Sequence, residues 1–222
     1  MKLVVFDCDG TLVDSQKSIV DAMVLAFEEH ELPAVSADRV RRVIGLPLDV
    51  AIAELLGEPA EFRHETIAET YRRMFRAFRA AGSVVEPLYD GAADTVRALD
   101  EEGWLLGIAT GKARRGLDAT LGPLDLLRHF VTMQTADVAM GKPHPEMLER
   151  AVSEAGVTTD VAVMVGDTTF DMEMAQNAGV ASIGVSWGYH PAEALHAAGA
   201  HVVIDEWRQL TPAIIDLIGS LR

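Results

Sequence analysis

Two aspartates, Asp7 and Asp9, stand one residue apart at the end of an apolar run, LVVFDCDGTLVDS over residues 3–15. They flank the only cysteine of the chain. A carboxylate at a strand end can attack an electrophile to form an acyl-type intermediate. Asp9 lies two residues on, so a regular strand would point it the same way, and Gly10 lets the backbone turn past the strand end. Two carboxylates at one point repel unless a cation lies between them or one carries a proton. Both conditions suit phosphoryl transfer: a metal at the pair, Asp7 as nucleophile and a protonated Asp9 as general acid. Taken alone, a D-x-D pair more often caps a turn and pairs with a lysine.

The pair has company. VMVGDTTFD puts Asp167 at another strand end, with Asp171 four residues later at a helix start. With Asp7 these give several hard oxygen ligands, which match Mg2+ with its preference for carboxylates, water and substrate phosphates. An N-cap role would explain Asp167 but not the acids around it. Thr110 ends a strand in IATGK, just before Gly111. Its hydroxyl and the following N–H groups could hold phosphoryl oxygens at a helix N-terminus. Lys142, in GKPHP, is one of only four lysines and precedes a proline that can open a helix. An ammonium fixed beside two aspartates would neutralise the nucleophile and stabilise charge developing on phosphorus.

These residues need a frame that makes them converge. Six short apolar runs read as strands: 3–7, 104–110, 130–135, 161–167, 181–186 and 201–205. They are continuous rather than alternating, as in a parallel sheet buried on both faces. Helical patterns separate the later ones, at 91–102, 114–121, 145–155, 170–178, 191–198 and 207–220, so the expected fold is a doubly wound α/β core. Between about 16 and 84 the alternation stops. Ile19, Ala22, Met23, Ala26 and Phe27 fall at helical spacing, as do Ile67, Tyr71, Phe75 and Phe78. The expected organisation is a core of 1–15 and 85–222 with an inserted, all-helical cap of 16–84. Ligands of open parallel sheets sit outside the carboxyl ends of the strands, where Asp7, Asp9, Thr110 and Asp167 all lie.

Composition narrows the partners. The chain has 222 residues, 49% hydrophobic and 24% charged, the profile of a globular protein. No apolar run approaches the roughly 20 residues of a membrane span, and the N-terminus lacks a signal-peptide pattern. One cysteine excludes an internal disulfide and fits a cytoplasmic protein. The formal charge of −15 would repel a nucleic-acid backbone. An anionic substrate therefore needs a metal or local cations, and the expectation is that Mg2+ and Lys142 make the crevice locally positive.

The order DxDGT, Thr-Gly, Lys-Pro and GDxxxD resembles the haloacid dehalogenase superfamily on its phosphatase branch. It is most similar to the helical-cap subgroup that includes phosphoglycolate phosphatase-like enzymes. The resemblance covers residues 1–15 and about 85–222; the cap matches in length and helical character. It implies that Asp7 attacks phosphorus and becomes an aspartyl phosphate, and that Asp9 protonates the leaving oxygen and then activates water. It implies Mg2+ held by the Asp7 carboxylate, the Asp9 carbonyl and Asp167, with Asp171 bound directly or one layer out. Thr110, Gly111 and Lys142 would hold the phosphoryl group. Dehalogenases it resembles lack the second acid, and phosphonatases have a small residue there, so Asp9 points to a phosphate ester.

The cap says less. RRVIGLPL (41–48) resembles the family's cap loop, in which Gly45 would let backbone approach the active site. Arg41 and Arg42 are candidates to receive a substrate carboxylate. Leu46-Pro47 stands where phosphomutases of the family carry a Ser-Arg pair. Arg72, Arg76 and Arg79 form a helical stripe that reads as a solvated face, and one of Lys112, Arg114 and Arg115 could touch the leaving group. Cys8 reads as a small buried hydrophobe, and no role falls to His144 or His190. The implied activity is hydrolysis of a small phosphorylated metabolite by a monomer or homodimer. Phosphomutase or pyrophosphatase chemistry is the alternative within the superfamily. A phospho-accepting receiver domain is the alternative outside it, although receivers are shorter and have no cap.

Overall fold

The computed structural model describes residues 1–57 and 62–220. The expected cap thus includes four positions, 58–61, outside the described residues, and the expected core includes two, 221 and 222. All six anticipated strands form: β1 (Leu3–Phe6), β2 (Leu105–Thr110), β3 (Phe130–Thr135), β4 (Ala162–Gly166), β5 (Ala181–Val185) and β6 (Val202–Ile204). They make one parallel sheet in the order β3-β2-β1-β4-β5-β6. This is the doubly wound arrangement, and its strand order reverses between β1 and β4.

Alternation along each strand divides the core. Val4, Phe6, Leu106, Ile108, Val163 and Val165 face α5 (Ala92–Glu101), α6 (Arg114–Leu121) and α10 (Leu210–Ser220). Leu3, Val5, Ala162 and Met164 face α7 (Glu146–Ala155) and α8 (Thr169–Ala178). Both faces are covered, so the strands read as unbroken apolar runs. The remaining core helix, α9 (Ala192–Ala197), seals Met172 with Leu195.

The stretch after β1 is helical, with α1 (Gln16–Glu29), α2 (Ala37–Arg41), α3 (Leu48–Leu56) and α4 (Phe62–Ala80). These enclose their own apolar cluster around Met23, Phe27, Val40, Ile52 and Ile67. Chain leaves and re-enters the sheet through two segments that pair with each other. Val13 bridges Leu88, Asp14 N–H donates to the Pro87 carbonyl and Tyr89 N–H to the Leu12 carbonyl. The Ser18 hydroxyl accepts from Val85 N–H at 2.9 Å. Two joined strands restrict how the helical unit can move over the sheet. No described helix is long and apolar enough to cross a membrane.

Ile183 is fully buried at the centre of the sheet half that carries β5. Ile183→Ala is expected to cost about 2–5 kcal/mol, since cavity and transfer terms add. Urea unfolding should show a lower midpoint at unchanged slope.

Candidate active site

The two central strands bring the acids together. Asp7 follows β1 and Asp167 follows β4, and these strands are hydrogen-bonded neighbours at the reversal of strand order. Asp171 sits in the first turn of α8, where Thr168 and Asp171 form a reciprocal capping box. Its Oδ2 accepts from both the backbone and the hydroxyl of Thr168, at 3.0 and 2.7 Å. Asp7, Asp167 and Asp171 are fully buried, and one carboxylate oxygen from each lies within 4.8 Å of the others.

Lys142 lies among them. Its Nζ is 2.9 Å from Asp7 Oδ1 and 2.6 Å from Asp171 Oδ1, and its side chain is wholly buried. Burial alone would discharge this ammonium, but Asp171 and Asp7 outweigh it and hold the group charged. On the acid side the balance tips the other way. Burial pushes the Asp7 carboxyl up to about 7, against the pull of Lys142 and with the push of Asp171. Burial, followed by the charges of Asp171 and Asp7, raises Asp167 well above the usual carboxylate range. Three buried carboxylates against one ammonium are short of positive charge. Hard oxygen donors in that spacing fit a small divalent cation such as Mg2+, which would relieve the repulsion.

Glycines make room for this cluster. Gly10 has φ +86°, and a Cβ there would fall 2.2 Å from an Asp167 carboxylate oxygen. One at Gly188 would fall 2.1 Å from the Asp167 Cβ. The Asp167 carboxylate is then fixed by the Thr11 hydroxyl at 2.8 Å and Tyr189 N–H at 2.9 Å. Asp7 Oδ1 also accepts from Cys8 N–H at 2.6 Å, while the Cys8 side chain packs into the sheet core.

Asp9 turns away from the three acids. Its Oδ1 accepts from the Ser15 hydroxyl at 2.5 Å and lies 2.9 Å from Lys112 Nζ. Lys112 also contacts Glu86 Oε1 at 3.1 Å, and the other Glu86 oxygen accepts from Arg79 of α4 and from Thr120, both at 2.8 Å. A charge chain therefore runs from the helical insertion to Asp9 through Arg79, Glu86 and Lys112. Burial would raise the Glu86 carboxyl, but Lys112 and the hydrogen bonds from Thr120, Arg79 and Lys112 hold it below its ordinary 4.5. Neither Ser15 nor Glu86 stands out in the sequence; Lys112 was one of three neighbouring cations with equal standing there.

Thr110 is buried at the end of β2, and its hydroxyl accepts from Lys112 N–H at 3.2 Å, which leaves its proton for the cleft. Gly111 follows. A Cβ there would meet the Gly45 carbonyl at 3.1 Å, and one at Gly141 would meet the Pro47 ring at 2.3 Å. The loop at 45–47 thus seats on the segments that carry Thr110 and Lys142, with Gly45 itself at φ +104°. Arg41 is not brought to this place. Its guanidinium pairs with Asp38 at 2.5 Å and with Gln16 at 2.8 Å, and it does not line the cleft. Arg42 offers its carbonyl, 3.2 Å from His190 Nε2.

Residues 4–185 match the family described as haloacid dehalogenase-like hydrolase. The chain belongs to the haloacid dehalogenase-like hydrolases. A Dickeya dadantii protein named "Probable phosphatase IndB" is 38% identical over 215 residues, which cover 95% of this chain and 92% of that one. Phosphoglycolate phosphatase of Salmonella paratyphi A is 33% identical over 230 residues, covering 95% and 91%. The crystal structure of a hydrolase from Pseudomonas syringae matches with TM-score 0.84 at 25% identity, over 97% of this chain and 99% of that one. As a member of this enzyme family, the chain keeps an acid at both positions of its first motif, Asp7 and Asp9.

Two measurements probe this geometry. Gly188→Ala forces Asp167 out of place and is expected to weaken Mg2+ binding at least tenfold by calorimetry, with the fold retained by circular dichroism. Glu86→Gln is expected to cost about 1–3 kcal/mol at pH 7, as a buried acceptor for several charged donors is weakened. A carboxyl lowered on folding stabilises above its unfolded value and loses that contribution as pH falls through its folded value. The difference between wild type and Glu86→Gln in urea should therefore shrink below pH 4.5.

Proposed function

We propose that this hydrolase is a Mg2+-dependent phosphatase that cleaves small phosphomonoesters through an aspartyl phosphate. The observation that carries the reading is the Asp7–Lys142–Asp171–Asp167 cluster at the switch point of the sheet, with Asp9 two residues from Asp7 and separately oriented.

Asp7, Asp167 and Asp171, with the backbone carbonyl of Asp9, are the groups that would hold the metal. Charge neutralisation among the acids and polarisation of the phosphoryl oxygens are what Mg2+ supplies there. The Asp7 carboxylate attacks phosphorus, forming an O–P bond as the bond to the leaving oxygen breaks. Asp9 gives its proton to that oxygen, which departs as an alcohol. In the second half Asp9 takes a proton from water, the water oxygen attacks phosphorus, and inorganic phosphate leaves with Asp7 restored. Lys142, the Thr110 hydroxyl and Gly111 N–H hold the phosphoryl group, and Lys142 also keeps one Asp7 oxygen fixed at 2.9 Å. Ser15 and Lys112 aim Asp9, whose contacts with both come from segments that border the helical unit.

Residues 1–15 and 85–222 serve as the catalytic core and 16–84 as the cap that selects the alcohol. Gly45 brings cap backbone against the core. The substrate is a small phosphorylated metabolite, as the relative named phosphoglycolate phosphatase suggests by its name.

Purified protein should hydrolyse p-nitrophenyl phosphate with Mg2+ and lose that activity in excess EDTA. Asp7→Asn should reduce kcat at least a thousandfold, and Asp9→Asn at least a hundredfold. Full activity in Asp7→Asn or in EDTA would refute the mechanism.

A further inference from the structure

Above the acids lies a cavity of about 740 Å³ between the sheet's edge and the helical unit. Its floor carries Asp7, Asp9 and Thr110; above them Met23, Val43, Ile44, Leu46, Tyr71 and Phe75 form an apolar patch, the roof, bordered by Arg72, Arg76 and Arg79 of α4. Pockets of about 300–1,000 Å³ enclose ligands of drug-like size. A short alcohol such as glycolate would fill little of this volume and would leave most of the apolar roof wet, its carboxylate reaching only toward the cations at the cavity's rim.

The roof is also specific in shape. Tyr71 and Phe75 are one helical turn apart on α4, with ring centroids 5.9 Å apart and planes at 41°. Lys112 Nζ and the Arg79 guanidinium stand 5.9 and 5.8 Å from the Phe75 ring centroid. These cations are themselves paired with Asp9 and Glu86, and the ring they flank lines the cavity. The Tyr71 hydroxyl makes no hydrogen bond among the described residues and lies near enough to Lys112, Asp9 and Glu86 to feel their charge. It offers one polar contact within an apolar wall. Aromatic surfaces favour flat partners in offset or tilted contact.

We infer that the alcohol part of the substrate is a ring-bearing, largely apolar body seated against Tyr71 and Phe75, rather than a short anionic acid. This rests on the phosphatase reading and names the class of ester. Tyr71 and Phe75 are the specificity-determining residues.

The test compares 2-phenylethyl phosphate, ethyl phosphate and 2-phosphoglycolate, all esters of primary alcohols, with Mg2+ present. kcat/KM for the phenylethyl ester should exceed each of the others at least tenfold, the scale a fitted apolar pocket provides. In Phe75→Ala the ratio of phenylethyl to ethyl ester should fall at least fivefold. Phe75→Leu, which keeps apolar volume and removes the ring, should lower it by a smaller factor. Preference for phosphoglycolate, or a ratio unmoved in both variants, overturns the inference while leaving the phosphatase reading intact. Calorimetry on Asp7→Asn with Mg2+ separates binding from turnover. Tighter binding of the phenylethyl ester than of phosphoglycolate, with neither hydrolysed by wild type, would refute the phosphatase reading and keep the ring-binding roof. Binding of neither overturns both.

Discussion

The structure turns on a concentration of buried negative charge at the carboxyl end of its sheet. Asp7, Asp167 and Asp171 occupy the carboxyl edge of adjacent strands and the first turn of the helix that follows, with Lys142 as the shared ion-pair partner of Asp7 and Asp171. In a low-dielectric site each added carboxylate raises the cost of the next. Such a cluster persists only when the surrounding chain fixes every donor. The Thr168 cap, the Thr11 hydroxyl, Cys8 N–H and Tyr189 N–H do this. Gly10, Gly166 and Gly188 yield the volume: a Cβ at any of them would fall within 2.4 Å of an acid's side chain. Strand order supplies the rest, because only the β1–β4 junction places two strand ends side by side with their connections leaving in opposite directions.

A second set of contacts ties the helical unit to that edge. Paired segments at 12–18 and 85–89 join the helical unit to the sheet, the 45–47 loop rests on Gly111 and Gly141, and His190 joins the Arg42 carbonyl to Thr169 N–H. Arg79, Glu86 and Lys112 then extend from α4 to Asp9. Asp9 is thereby held by groups whose positions depend on how the insertion sits, whereas Asp7 is held by the sheet and by Lys142 of the core. In the proposed mechanism the nucleophile would thus sit at the sheet and the proton carrier at the seam with the helical unit.

The sheet was legible because a strand buried on both faces must be apolar throughout. Six such runs stand at the observed strands, within a residue or two at each end. The acid cluster was legible because aspartates ending apolar strands have few physical uses. Ser15, Glu86 and the roof were not. Ser15 and Glu86 act as single polar residues with no periodic signature, and their meaning comes from the partners the fold gives them, Asp9 for Ser15 and Lys112, Arg79 and Thr120 for Glu86. Helical spacing put Ile67, Tyr71 and Phe75 on one face, but periodicity cannot say what covers a face: Ile67 is buried in the cap cluster, while Tyr71 and Phe75 look into the cleft. Arg41 shows the converse. A basic residue beside a motif suggested an anion site, yet its charge is met locally by Asp38.

The chain's net charge of −15 takes on a sharper meaning with the ion pairs in view. Lys142 does not by itself make the crevice positive, since Asp7 and Asp171 both draw on it and Asp167 remains. Lys112 is likewise matched by Asp9 and Glu86. Attraction for a phosphate must then come from a divalent cation at the acids and from the exposed Arg72, Arg76 and Arg115 at the cavity's rim. These three form no ion pair among the described residues, so their charge is available to an arriving anion. Two residues of the stripe that reads as plain solvated surface in the sequence, Arg72 and Arg76, thus line the cavity above the cluster. In the proposed reading, rim cations would draw the phosphate in, the apolar roof would sort what it carries, and the buried lysines would serve the chemistry.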